Sequence, residues 1–184
     1  MQHARFFLSP TLRLLAIIAA LWVPLGAIAD EYFEVNQLLR SGKHPEALAR
    51  ADRYLAGKPR DPQMRFLRGV VLSESGRGAE AMATYSALVQ DYPELPEPYN
   101  NLAVLYAGQS QFEKAREALE MAIRANPLYA TAYENLGDVQ LQLARQSYGR
   151  AAQLDPSSNS ARTKLAQSTA TLPATPATPP QWAP

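Results

Sequence analysis

The chain has 184 residues, with 18 basic against 17 acidic side chains and a formal net charge of +1. A balance this even excludes the basic stripe that tracks phosphates, and the charges are mixed along the sequence, as in Glu113, Lys114, Arg116 and Glu117, so no nucleic-acid partner is expected. Cysteine is absent, which rules out disulfides and a cysteine-linked lipid anchor and leaves packing to hold the fold together.

The first element is a targeting segment. Arg5 and Arg13 precede the apolar run Leu14 to Leu25, and Ala27-Ile28-Ala29 supplies a small-x-small ending, the pattern of a secretory signal peptide over 1–29. Cleavage is expected after Ala29, giving an exported, periplasmic chain that begins at Asp30, and loss of Arg5 and Arg13 takes the net charge to −1. The alternative is an uncleaved inner-membrane anchor. Against it, the run is short of the ~20 residues a span needs and Pro24 interrupts it, so no stable membrane span is expected once the signal is removed.

Beyond residue 29 the sequence repeats. Pro59, Pro93 and Pro127 lie 34 residues apart; Ala47, Ala81 and Ala115 each precede one of them by twelve residues, and Gly42, Gly76 and Ser110 precede the alanines by five. The spacing predicts helical pairs, with a turn at the glycine or serine, a small residue where the two helices cross, and proline at the exit. The unit from Pro96 to Tyr129, PEPYNNLAVLYAGQSQFEKAREALEMAIRANPLY, carries Tyr99, Leu102, Ala103 and Tyr106 in its first helix and Ala115, Leu119, Ala122 and Pro127 in its second. On these residues it resembles the tetratricopeptide repeat over its whole length.

That resemblance implies an all-α fold, a right-handed α-solenoid of antiparallel helix pairs with a C-terminal capping helix. The units are 30–61, 62–95, 96–129 and a truncated 130–156, followed by the cap at 157–168. In the second unit Arg65 and Arg68 stand where the family carries a large apolar residue and a leucine; they are read as structural residues whose stems pack while their guanidinium groups reach water, against an anion-binding role. The fourth unit starts with Tyr133, Leu136 and Gly137, then reaches Ala144, Tyr148, Ala151 and Pro156 five residues early, as if its turn were deleted. With no proline and only Gly137 and Gly149 between Ala130 and Leu154, one long helix is expected there. The stretch 169–184, ending TLPATPATPPQWAP, is too proline-rich to fold and reads as a disordered tail, in which Trp182 carries no assigned role.

Catalysis finds few candidates. After the signal, His44 is the only histidine, there is no cysteine, and no glycine-rich phosphate loop or set of spaced metal ligands is present, so no catalytic residue, cofactor or metal is expected and the chain is read as a non-enzyme. The resemblance implies instead a concave surface lined by the first helix of each pair, and places there Tyr32, Asn36, Phe66, Val70, Asn100, Asn101, Val104, Glu134, Asn135 and Asp138. Some relatives clamp a partner's terminal carboxylate with lysine, arginine and asparagine. Asn36 matches one asparagine, but Tyr32, Glu97 and Asn101 hold the basic positions, which points to a basic or neutral ligand or an amphipathic helix. The chain resembles small exported repeat proteins of Gram-negative bacteria, which implies a non-catalytic protein–protein interaction scaffold for an envelope or periplasmic protein or peptide. Its alternatives are a self-assembling structural protein, with a homo-oligomer as its product, and an accessory subunit of an envelope enzyme or of a secretion or folding machine.

Overall fold

A computed structural model describes the backbone of residues 25–171 and the side chains of residues 31–170. Among the described residues there are eight helices and no strand: α1 Leu25–Arg40, α2 His44–Gly57, α3 Pro62–Glu74, α4 Gly78–Asp91, α5 Pro96–Gly108, α6 Phe112–Ala125, α7 Ala130–Leu154 and α8 Asn159–Thr171. The apolar run of the expected signal and most of the tail lie outside the described residues. The backbone of α1 runs without a break through positions 29 and 30.

The 34-residue period is written in the backbone. Within each of the first three pairs the leading helix closes with the same two bonds: Lys43 N–H to Leu38 O and Gly42 N–H to Leu39 O, then Arg77 to Leu72 and Gly76 to Ser73, then Gln111 to Tyr106 and Ser110 to Ala107. This double bond pattern needs a left-handed residue just past the helix end. Gly42 and Gly76 adopt it at φ 68° and 76°, and Ser110 adopts it at φ 58° despite its Cβ. Between units, the N–H groups of Lys58, Tyr92 and Asn126 bond the last turn of the preceding helix, with Pro59, Pro93 and Pro127 following; the same bond recurs at Asp155, 29 residues later rather than 34.

Helices of a pair meet through residues whose sizes are matched. Gly69 lies against Tyr85, so close that a Cβ on Gly69 would stand 2.5 Å from Tyr85 Cε1. The same two places are held by Ala103 and Leu119 in the third pair and by Val35 and Ala51 in the first, all buried. Small against large, or medium against medium, fills the crossing of each pair without a gap. Apolar packing forms two clusters. One unites Val35, Ala47, Ala51, Met64, Leu67 and Val71 in α1 to α3, and the other runs from Phe66, Leu72 and Tyr85 through Leu119 to Ala132 and Val139; Leu48 and Val70 touch both.

The fourth unit departs from the pair. Its sequence continues as a single 25-residue helix, α7, whose first half packs on α5 and α6 and whose second half carries α8. Gly149 approaches Leu165, and Lys164 lies over the Tyr148 ring at 5.7 Å. The cap expected at 157–168 is helical over Asn159–Thr171, so it enters the stretch 169–184 that was read as disordered. The physical reason is local: Ser158 Oγ accepts the Ala161 N–H at the start, the Ser168 and Thr169 hydroxyls bond Leu165 O at the end, and the first proline to oppose a helix is Pro173.

Candidate partner-binding groove

Ten residues were expected on the concave surface, and the structure divides them. Phe66, Asn100, Asn101 and Asn135 are buried, Asn100 to 0% exposure, which corrects their reading as partner contacts. Phe66 packs against the Tyr85 ring with centroids 5.7 Å apart. The asparagines form a buried chain: Asn135 Nδ2 donates to Asn100 Oδ1 at 2.8 Å, Asn100 Nδ2 to Asn101 Oδ1 at 3.5 Å, and Asn101 Nδ2 to the Tyr85 hydroxyl at 3.0 Å. Amides that bond one another across α4, α5 and α7 fix the register of three repeats, because any slip would leave a buried polar group unpaired. Burial pushes the Tyr85 hydroxyl well above the usual phenol range, although the Asn101 bond works the other way.

Tyr32 is also occupied within the fold. Its hydroxyl donates to Asp61 Oδ2 at 2.5 Å and lies 3.1 Å from the Tyr54 hydroxyl, which itself donates to Asp61 Oδ2 at 3.0 Å. The other Asp61 oxygen accepts the Met64 N–H at 2.9 Å, so one carboxylate caps α3 and ties it to the first pair. Burial, followed by the bond to Asp61, raises the Tyr32 pKa far above its normal value.

What stays open is a row. Asn36, Val70, Val104 and Asp138 recur at 34-residue spacing, one on each odd-numbered helix, and all four are half-buried; Glu134 is exposed at the same end as Asp138. Asn36 Nδ2 donates to Tyr32 O at 2.9 Å. The composition is apolar in the middle, amide at one end and carboxylate at the other.

Sequence reasoning missed Tyr129. Its hydroxyl is buried with no hydrogen-bond partner, as is Glu97 Oε2, and burial together with the nearby Glu97 pushes the Tyr129 pKa up to about 12. Two buried oxygens without donors belong to the same junction of α5 with α7. The position before the fourth leading helix gives the only signal, since the equivalents are Asp61, a cap, and Leu95.

On the opposite side, Arg65 and Arg68 line a cleft of about 450 Å³ with Leu55, Pro59, Glu80, Ala83, Thr84 and Ala87. Arg65 reaches Asp91 and Arg68 reaches Asp52, each at 2.7 Å, and Arg68 also donates to Thr84 Oγ1 at 3.1 Å. Packed stems with paired heads support the structural reading of these arginines. Among the described residues no cluster of three or more His, Cys, Asp or Glu could hold a metal ion, and no helix is long and apolar enough to cross a membrane.

A profile of the tetratricopeptide repeat matches residues 34–96 and 100–159. The chain belongs to the tetratricopeptide repeat family. Among solved structures, these repeats are similar to the first repeat domain of human RPAP3, at TM-score 0.59 and 17% identity over 64% of this chain and 92% of that one. They are also similar to TTC0263 of Thermus thermophilus, at TM-score 0.57 and 23% identity over 78% and 81%. At those identities the likeness is one of fold. Among curated proteins, a repeat-containing thioredoxin, TTL4 of Arabidopsis thaliana, is 35% identical over 83 residues, 45% of this chain and 12% of that protein. The probable biofilm formation methyltransferase WspC of Pseudomonas aeruginosa is 28% identical over 101 residues, 55% and 24% respectively. The chain thus spans less than a quarter of either relative's length. Solenoids of this family present extended inner surfaces to other proteins.

Proposed function

We propose that this repeat protein is a non-catalytic adaptor of the bacterial envelope that holds a basic or neutral peptide, or an amphipathic helix, along the row Asn36, Val70, Val104 and Asp138. The observation that carries this reading is the row itself: four half-exposed side chains at the repeat period, apolar in the centre and acidic at one end, as a helical or extended ligand with a basic flank requires. A repeat domain related in fold was solved with the peptide SRMEEVD of HSP90 bound. A ligand with that acidic end does not suit this chain, because Tyr32, Glu97 and Asn101 stand where the basic clamp would be.

Export rests on the segment Arg5 to Ala29, with cleavage after Ala29 and the uncleaved inner-membrane anchor as the alternative; the mass of the protein recovered from a periplasmic fraction decides between them. The binding test is capture from an envelope extract on the full chain, with the Val104→Ser and Asp138→Asn variants beside it. A partner held by the wild type should fall at least tenfold on the variants at unchanged helicity. Equal capture by all three would place the contact elsewhere and overturn this reading.

A further inference from the structure

The fourth unit keeps both halves of a helical pair but cannot bring them together. Counting from its start, Gly137 takes the place of Gly69 and Ala103, and Tyr148 takes the place of Tyr85 and Leu119. The size match that governs the closed pairs, glycine against tyrosine and alanine against leucine, is therefore repeated in Gly137 and Tyr148. In α7 these two residues share one straight helix and stand about 16 Å apart. The five residues without a counterpart are those of the third unit's turn, 108–112, Gly-Gln-Ser-Gln-Phe.

The face that should hold a second helix is bare. A Cβ on Gly137 would meet nothing within 4 Å. Tyr133 is 50% exposed where Tyr99, its equivalent, is 8% exposed. The complementary face is only partly covered: Ala151 is exposed where Leu88 and Ala122 are fully buried, while Ala144 and Tyr148 are half-buried. Tyr133, Gly137, Gln140, Ala144, Tyr148 and Ala151 form one stripe at a period of 3.6 residues along α7. The charges of α7 are also divided, with Glu134 and Asp138 in the first half and Arg145 and Arg150 in the second, and none of the four forms a salt bridge among the described residues.

We propose that two copies of this chain pair reciprocally through antiparallel α7 helices, each supplying the second helix that the other's fourth unit lacks. Tyr148 of one copy then sits over Gly137 of the other, as Tyr85 sits over Gly69, about a two-fold axis that passes between Gln140 and Ala144 of the stripe. An isologous contact of this kind closes on itself. Antiparallel pairing lays each acidic half against a basic half, with Asp138 facing the other copy's Arg145; a parallel pair would set like charges together. α8 meets the same end of α7, where Lys164 lies over the Tyr148 ring at 5.7 Å, so in the pair Tyr148 has Lys164 of its own chain on one side and Gly137 of the other copy on the other. The pairing shares Glu134 and Asp138 with the acidic end of the groove proposed above, but it is read from chain mass and cross-linking rather than from partner capture.

The test begins with light scattering on the full-length chain, which should give twice the 20.2 kDa chain mass and dissociate on dilution. A chain that stays monomeric at all concentrations overturns the proposal. Because the protein has no cysteine, single Gly137→Cys and Tyr148→Cys chains, one of them isotopically labelled, can be mixed and gently oxidised. Disulfides joining the two kinds of chain should exceed those between identical chains at least tenfold. A 137–137 excess, or an intramolecular bond in a monomeric chain carrying both substitutions, would refute the geometry. Finally, inserting Gly-Gln-Ser-Gln-Phe between Leu141 and Gln142 should close the fourth pair within one chain and yield a monomer; a dimer from the inserted chain would overturn the assignment.

Discussion

Gly69→Ala tests the size rule on which the helix pairs depend. A Cβ at this position would lie 2.5 Å from Tyr85 Cε1, 2.8 Å from Cζ and 3.0 Å from Cδ1, whereas carbon atoms pack at about 3.5–4.0 Å. The ring would have to retreat by about 1 Å, yet it is fully buried and its hydroxyl is held by Asn101. Overpacking of this kind costs about 1–3 kcal/mol, and the better helix propensity of alanine returns about 1 kcal/mol. With so severe an approach the expected net loss is about 2 kcal/mol, a fall in Tm of roughly 4–8 °C for a chain of this size. Circular dichroism of urea and thermal unfolding measures it. The third pair supplies the control, because Ala103 and Leu119 fill the same places there. In a Tyr85→Leu background, Gly69→Ala should become neutral or stabilising, so the double-mutant cycle should show a coupling of about 2 kcal/mol. An equal cost of Gly69→Ala in both backgrounds would show that the clash is not what sets the helix spacing.

Ser110→Gly should raise stability by about 0.5 kcal/mol, since relief of the left-handed Cβ exceeds the added chain entropy; Gly42→Ala and Gly76→Ala should lower it by about 1 kcal/mol, all read from urea midpoints. Asn135→Leu should cost about 1–3 kcal/mol by leaving Asn100 Oδ1 buried without its donor, and a smaller loss would mean that the amide chain relaxes locally. Phe66→Ala should cost about 3–5 kcal/mol as a cavity mutation and so disturb the stack rather than a partner alone, which calorimetry of the free protein would register. Stability should fall between about pH 10 and 12. The raised pKa of Tyr129 keeps its hydroxyl neutral in the folded state while the unfolded phenol ionises near 10, so the contribution is present below pH 10 and lost as pH rises through the folded value. Tyrosinate absorbance at 295 nm should rise together with the loss of helicity; an earlier rise would show that the buried phenols are open to solvent.

The architecture was legible because its signals are local. A glycine that ends one helix, a proline that begins the next exit and an alanine at the crossing act within a dozen residues, and their recurrence multiplied the evidence. The long α7 followed from the same lattice, as a missing turn. The groove was less legible. Asn100, Asn101 and Asn135 were placed on the partner-binding surface by the family resemblance, but each finds its partner in a different helix, and a pairing between repeats leaves no mark in any single repeat. Phe66 and Tyr32 were misplaced similarly, one by the ring of Tyr85 and the other by the carboxylate of Asp61. The end of α8 escaped because hydroxyl-to-carbonyl bonds at Ser168 and Thr169 hold a sequence whose composition alone reads as loop.

Splitting the apolar interior in two gives the stack a weak seam. The first cluster joins α1 and α2 to one face of α3, and only Leu48 and Val70 continue it into the second. The amide chain that locks the later repeats begins at Tyr85 and does not extend to the first pair. Amide protons of α1 and α2 should therefore exchange with deuterium through a partial opening that leaves α4 to α7 protected, so that the protein melts from its amino end inward as two cooperative units. Such an opening bares Met64, Leu67 and Val71 on α3, a fresh edge that another helical pair could occupy.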